Sequence, residues 1–169
     1  MSKLIEIRPE EFNKSAFKLI GSDWMLIAAE KNNKVNTMTA SWGGFGVMFN
    51  KNVVYIVIRP HRYTKEFVDG SDTFSLTFFD KSFKENLSYL GAVSGRDEDK
   101  ISKVGLTVVH SEETPYFDEA TTVIICKKIY AQAFKPECFI EAGLDEQLYP
   151  KKDHHTMYIA EVEKLLVRE

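Results

Sequence analysis

The sequence predicts a mainly β fold, a β-barrel with short helical insertions. Three observations lead there. Apolar, β-branched runs of strand length recur along the chain, separated by turn residues. The two longest, residues 121–134 and 157–167, flank a 19-residue polar excursion at 135–153. The helical patterns between strands are short, so they decorate a sheet rather than build a bundle. With 169 residues, 44% hydrophobic and 28% charged, the chain is expected to form one domain spanning residues 1–169.

In order, residues 8–21 read as a helix, with Pro9 in the first turn, Gly21 as the C-terminal stop and Phe12, Ala16, Phe17, Leu19 and Ile20 near helical spacing. Residues 24–30 form an apolar strand. Lys31-Asn32-Asn33-Lys34 turns the chain, and residues 35–42 return as its hairpin partner. Residues 53–59 form a buried strand stopped by Pro60, and residues 64–69 a short helix with Thr64 as N-cap. In residues 73–79, Phe74, Leu76 and Phe78 alternate with Thr73, Ser75 and Thr77, a period of two. Ser82-Phe83-Lys84-Glu85 has the form of a capping box that opens a helix running to Gly91. Residues 97–104 read as another short helix, and residues 106–110 as a strand before the two long ones. A loop as long as 135–153 is often functional. Its Phe139, Leu144, Leu148 and Tyr149 fit equally a cover over a site and plain packing on the barrel.

Composition excludes several classes. With 22 basic and 25 acidic side chains the net charge is −3, so there is no general attraction to nucleic acid or to an anionic membrane. The longest apolar runs are far too short to span a bilayer, and the first twelve residues carry no signal-peptide core. The two cysteines, Cys126 and Cys138, fit no paired zinc or redox motif. Free thiols point to a reducing compartment, and a cytoplasmic location is expected. No metal site is expected. Neither a G-x-G-x-x-G fingerprint nor a P-loop is present.

The most informative stretch is Asn36-Thr37-Met38-Thr39-Ala40-Ser41-Trp42-Gly43-Gly44-Phe45-Gly46. It begins as a strand but carries polar side chains that a barrel core does not need. Three glycines then allow close backbone approach. Such a strip suits a flat heteroaromatic ligand with a polar edge; it suits equally a solvated edge strand entering a glycine-rich turn. Arg59-Pro60-His61-Arg62-Tyr63-Thr64-Lys65 concentrates basic side chains at a helix start in an otherwise acidic chain, a pattern suited to phosphate.

The run N-T-M-T-A-S-W-G resembles the signature of the flavin reductase-like, FMN-binding split-barrel family, which includes the flavoredoxins. Three further segments match in the right order: the Arg–Thr turn at 59–64, Ser94-Gly95-Arg96-Asp97-Glu98-Asp99-Lys100, and the closing Asp153-His154-His155 with Glu161-Val162. The resemblance covers about residues 24–162. It implies that Asn36, Thr37, Met38, Thr39, Ser41 and Trp42 line the flavin. It assigns Arg59, Tyr63 and Thr64 to the FMN phosphate or ribityl chain. Lys100, with Lys103 as the alternative, is implied as a cation near the pyrimidine end of the ring. His155 falls on the family histidine, although His154 and Ala160 depart from the pattern and leave the choice between the two histidines open.

The family further implies a six-stranded split barrel, a homodimer and FMN near the dimer interface. Two functions follow. One is an NAD(P)H-dependent reductase of flavin or a small acceptor, with hydride passing through flavin N5. The other is a flavoredoxin-like electron carrier whose tightly bound FMN is reduced by a protein partner.

Overall fold

The computed structural model describes residues 3–169. Ten strands are present: β1 (Leu4–Ile7), β2 (Met25–Lys31), β3 (Lys34–Ala40), β4 (Gly43–Met48), β5 (Lys51–Ile58), β6 (Thr73–Phe78), β7 (Val108–Ser111), β8 (Thr114–Phe117), β9 (Thr122–Ala133) and β10 (Thr156–Arg168). Four short helices join them: α1 (Tyr63–Asp69), α2 (Lys84–Ala92), α3 (Lys100–Lys103) and α4 (Leu144–Leu148). The main sheet runs β3-β2-β6-β9-β10-β5-β4, antiparallel throughout, and β7–β8 is a separate hairpin.

The long β10 organises the sheet. Its first half pairs with β5 (Thr156 opposite Ile58) and its last residues pair with β1 (Leu4 opposite Arg168), while β9 runs along its other edge. The two outermost strands, β3 and β4, are consecutive in the chain and separated only by Ser41 and Trp42. Two residues span roughly 10 Å at full extension, so the sheet has to roll until its edges nearly meet. It does not close: β3 and β4 share no ladder, and the expected barrel is split at that point.

Both faces of the central strands are buried. In β2, Met25, Ile27 and Ala29 enter the barrel interior beside Ile56, Phe74, Leu76 and Tyr158. Leu26 and Ala28 pack outward against Leu87 and Leu90 of α2, Phe117 and Val123. Burial on both faces explains why 24–30 reads as an unbroken apolar run. The alternation in β6 also holds, with Phe74, Leu76 and Phe78 inside. Its polar face is covered rather than solvated: Ser75 Oγ donates to the Pro115 carbonyl of β8 at 2.6 Å.

Several expectations are corrected. Residues 8–21 form no continuous α-helix. A 3-10 turn at Pro9–Glu11 and a π-helical segment at Phe17–Asp23 replace it, and Phe17 points into solvent. Docking Leu19 and Ile20 into the core outweighs regular helical hydrogen bonding there. The glycine-rich stretch after Trp42 is a strand, β4, rather than a turn. Gly44 lies under the half-exposed Tyr55 ring, which would have to swing aside for a Cβ placed 2.6 Å from it. Arg62, not Thr64, is the N-cap of α1. The helix expected over 97–104 is confined to Lys100–Lys103. Strands β1 and β8 went unforeseen.

Candidate functional site

Where β3 ends and the Ser41–Trp42 link begins lies a cleft of about 580 Å³. One wall is the end of β3 with the Ser41–Trp42 link, and the opposite wall is α2 with Leu87, Ser88 and Gly91. The close approach of α2 to β3 depends on Gly91, whose Cβ would sit 3.1 Å from Thr39 Cβ. Thr39 Oγ1 donates to the Leu87 carbonyl at 2.5 Å and ties the two walls together. Because β3 pairs only with β2, alternate main-chain N–H and C=O groups along its free edge have no ladder partner.

A second compartment of about 300 Å³ adjoins the cleft, sharing Met38, His61 and Arg62 as lining. Asn36, Tyr63, Thr64, Arg96 and Lys100 meet there, and no acidic side chain lines it. Lys100 is 3% exposed, and its Nζ donates to the carbonyls of Leu90 (2.7 Å) and Val93 (2.8 Å). Burial, aided by the nearby Arg62 guanidinium, pulls the Lys100 ammonium down to a pKa of about 8. Desolvation also lowers Arg62, whose Nη1 donates to the Gly91 carbonyl at 3.0 Å. Arg96 stacks on the Tyr63 ring with its guanidinium 4.5 Å from the centroid, and it pairs with Glu66. Cations gathered without a carboxylate lining make an anion-seeking compartment.

The sequence-assigned residues divide between the two. Met38, Thr39, Ser41, Trp42, Arg59 and His155 line the cleft; Asn36, Met38, Tyr63, Thr64 and Lys100 line the polar compartment. Asn36 Nδ2 donates to Thr64 Oγ1 at 2.9 Å, so β3 and α1 are joined under its floor. Gly95 makes room for this contact, because a Cβ there would collide with Asn36 Oδ1.

Thr37 is fully buried with its hydroxyl donated to the Ile27 carbonyl at 2.8 Å, and it lines neither space; strand alternation turns it away. Arg59 and Thr64 do not share a compartment. Arg59 is held at the cleft by Asp153 (2.8 Å) and the Leu148 carbonyl (3.1 Å), with its guanidinium 4.9 Å from the Tyr149 ring centroid. Lys100 sits beside Thr64, and so shares the compartment that the basic turn enters. Lys103 instead pairs with Glu98 at the surface.

The histidines separate cleanly. His154 Nε2 contacts Asp145 Oδ1 at 2.5 Å and its ring stacks on Tyr149 (centroids 4.5 Å apart), away from the cleft. His155 lines the cleft beside Trp42, ring centroids 5.0 Å apart. The excursion supplies Asp153 to the cleft and anchors its own end through the buried Tyr149, but residues 135–150 contribute no lining to it. Sequence reading placed Arg62 in the basic turn without assigning it a role, and missed Arg96 as a lining cation and Asp153 as the partner of Arg59. Only the crowding of basic residues at 59–65 and the acid–base alternation of 96–100 hinted at them.

Burial, and after it the Arg59 charge, lowers His155 to a pKa of about 4 from the ordinary 6.5. In the unfolded chain the same ring protonates near 6.5, so acid favours unfolding. The His155 contribution to stability is present above pH 6.5 and is lost as pH falls toward about 4. His155→Gln is expected to flatten this part of the acid-stability profile, checked by denaturant midpoints across that range. An unchanged slope would contradict it. Cys126 is buried with its thiol pushed well up, which makes it inert; Cys138 is exposed.

A rolled antiparallel sheet, split between consecutive edge strands, defines the split-barrel fold. Within it, the chain belongs to the flavin reductase like domain family, whose model matches residues 17–169. Among curated proteins none matches the sequence. Solved structures with the same fold include an FMN-binding domain of a flavin reductase-like enzyme from Shewanella baltica (17% identity, TM-score 0.72, covering 98% of this chain and 78% of that one). The flavoredoxin of Desulfovibrio vulgaris is also similar (20%, 0.69, covering 96% and 78%). So is the flavoredoxin of Methanosarcina acetivorans (21%, 0.67, covering 85% and 67%). Among the described residues no helix is long and apolar enough to cross a membrane, and no cluster of metal ligands occurs.

Proposed function

We propose that the chain binds FMN, with the ring in the β3–α2 cleft and the phosphate in the adjoining cationic compartment. We further propose that it acts as an NAD(P)H-dependent reductase of flavin or a small acceptor. The observation that carries this is the junction of the two spaces. An elongated ligand with a flat, polar-edged body and one anionic end matches a cleft of about 580 Å³ opening into an acid-free compartment of about 300 Å³. The residues fit such a group. Lys100 is buried with only carbonyl partners and keeps one N–H for an anion, and Arg62 and Arg96 stand beside it.

When bound, FMN supplies the hydride and electron transfer that no side chain here performs. The chain's own residues bind and orient. The free edge of β3 offers main-chain donors and acceptors to the polar rim of the ring. Arg59, neutralised by Asp153, is a braced wall rather than a phosphate prong. His155 is neutral at physiological pH and presents an uncharged imidazole to the cleft.

The test is the visible spectrum of purified, desalted protein, followed by anaerobic titration with NADH and NADPH. Two flavin bands at near one per chain and rapid bleaching by a nicotinamide are expected. Bleaching only by a protein or chemical reductant would replace the enzyme with a flavoredoxin-like carrier. Failure to bind added FMN would overturn the ligand.

The same reading includes a single cytoplasmic domain and a homodimer. Support for the dimer comes from the β4 edge and its neighbours, where Val47 (75% exposed), Phe49 (55%) and Tyr130 (41%) leave apolar surface in water. Light scattering is expected to give twice the 19.4 kDa chain mass, with Phe49→Glu shifting the protein to monomer. A monomeric wild type would refute this.

A further inference from the structure

Residues 135–150 of the long excursion have no lining role in the cleft, yet they carry Tyr149, a residue only 1% exposed whose hydroxyl lies 2.6 Å from His155 Nδ1. The direction of that hydrogen bond can be worked out from its neighbours. A phenol hydroxyl donates one proton and accepts others; a neutral imidazole has one donor and one acceptor nitrogen. If His155 donated from Nδ1, the Tyr149 proton would need a different acceptor. His155 Nδ1 is the single acceptor found for that hydroxyl among the described residues. Burial holds the phenol protonated, and burial with the Arg59 charge holds His155 neutral.

We propose that Tyr149 is a positioning residue: by donating to Nδ1 it locks His155 in the Nε2–H tautomer, so that the cleft is presented with a fixed N–H donor. Nε2 has no hydrogen-bond partner in the described protein, while the His155 ring stands against Trp42 in the cleft wall. The ligand group it suits is an uncharged acceptor oxygen, such as a carbonyl, rather than another donor.

The excursion makes Tyr149 rigid enough for this. Tyr149 N–H donates to the Asp145 carbonyl at 2.8 Å, closing α4. His154 stacks on one side of its ring, and Arg59 lies against it at 4.9 Å. Arg59 in turn donates to Leu148 O, the residue before Tyr149. The charged and titratable groups around His155 are thus Arg59 and His61 from the β5 side, and Asp153 and Tyr149 from the excursion. The consequence for a ligand rests on the proposed use of the cleft, whereas the tautomer does not, so the two fail separately.

The experiment is long-range proton–nitrogen correlation NMR on uniformly nitrogen-15-labelled full chain without ligand, with His155 assigned by His155→Gln. The expected wild-type spectrum shows one neutral tautomer, protonated at Nε2. In Tyr149→Phe the ring is expected to populate both tautomers and to titrate at higher pH than in wild type, because the bond to Nδ1 favours the neutral form. A wild-type His155 protonated at Nδ1 would overturn the proposal even if the variant did not fold. An unchanged tautomer and titration in a folded Tyr149→Phe would overturn it as well.

Discussion

Replacing Lys100 by methionine is expected to weaken FMN binding about tenfold to a hundredfold while leaving riboflavin nearly unaffected. A charge-assisted hydrogen bond contributes roughly 1.5–3 kcal/mol, which corresponds to that range. The ammonium lies in a compartment without a carboxylate, so nothing else in its lining offsets its charge before an anion arrives. Riboflavin shares the ring and side chain of FMN but not the phosphate, so it reports on folding and on the cleft. Equal loss of both ligands would place Lys100 at the ring rather than at the phosphate.

The same lysine sets a pH dependence. Its folded pKa of about 8 is below the ordinary 10.5, so the cation is progressively lost above pH 8. FMN affinity is therefore expected to fall as pH rises past about 8 in wild type, and to be flat there in Lys100→Met. Titration of FMN by fluorescence quenching between pH 7 and 10 checks it. Stability moves the opposite way. The unfolded chain holds the proton more tightly between 8 and 10.5, so deprotonation in that window relieves the burial of charge.

Gly43→Ala is expected to have the largest effect on stability, on the order of 3 kcal/mol, or roughly 6–12 °C in melting temperature. Gly43 sits at φ +147°, a backbone conformation that side chains rarely adopt, and a Cβ there would lie 2.6 Å from the Tyr55 carbonyl oxygen. This oxygen is main chain in a paired strand, so the β4–β5 and β5–β10 ladders restrain it from stepping aside. The position matters for function as well. It follows directly on Trp42, at the point where the chain crosses from one edge of the rolled sheet to the other. Gly46→Ala is the control: it lies in the same strand, with nothing within 4 Å of an added Cβ. Calorimetry on the two variants should separate them, and equal melting temperatures would refute the argument.

Much of the site was legible because two of its parts lie in contiguous stretches. The polar side chains of 36–42 do not belong in a barrel core, and the basic crowding of 59–65 stands out in an acidic chain. Legibility stopped at side-chain direction. Thr37 and Asn36 look equivalent as letters, but strand alternation buries one on a carbonyl and aims the other at Thr64. Arg59 and Arg62 look interchangeable, yet Asp153, 94 positions away from Arg59, claims only the first. The two histidines differ by one position and by everything around them, because the folding of the preceding loop puts Asp145 on one and the Tyr149 hydroxyl on the other.

The sequence by itself determined the sheet-rich class, the two long closing strands, the family motif and the region of the cleft. These are properties of period, composition and local spacing, which the backbone reads out residue by residue. Only the tertiary structure decided that the glycine-rich run is an edge strand and that the barrel stays split between β3 and β4. It also decided that Lys100, Arg62 and Arg96 share one compartment without an acidic lining, and that His155 rather than His154 faces the cleft. The reason is physical. Each of these depends on which groups distant in sequence are brought together when the sheet rolls, and burial then sets their charge, their direction and their partners.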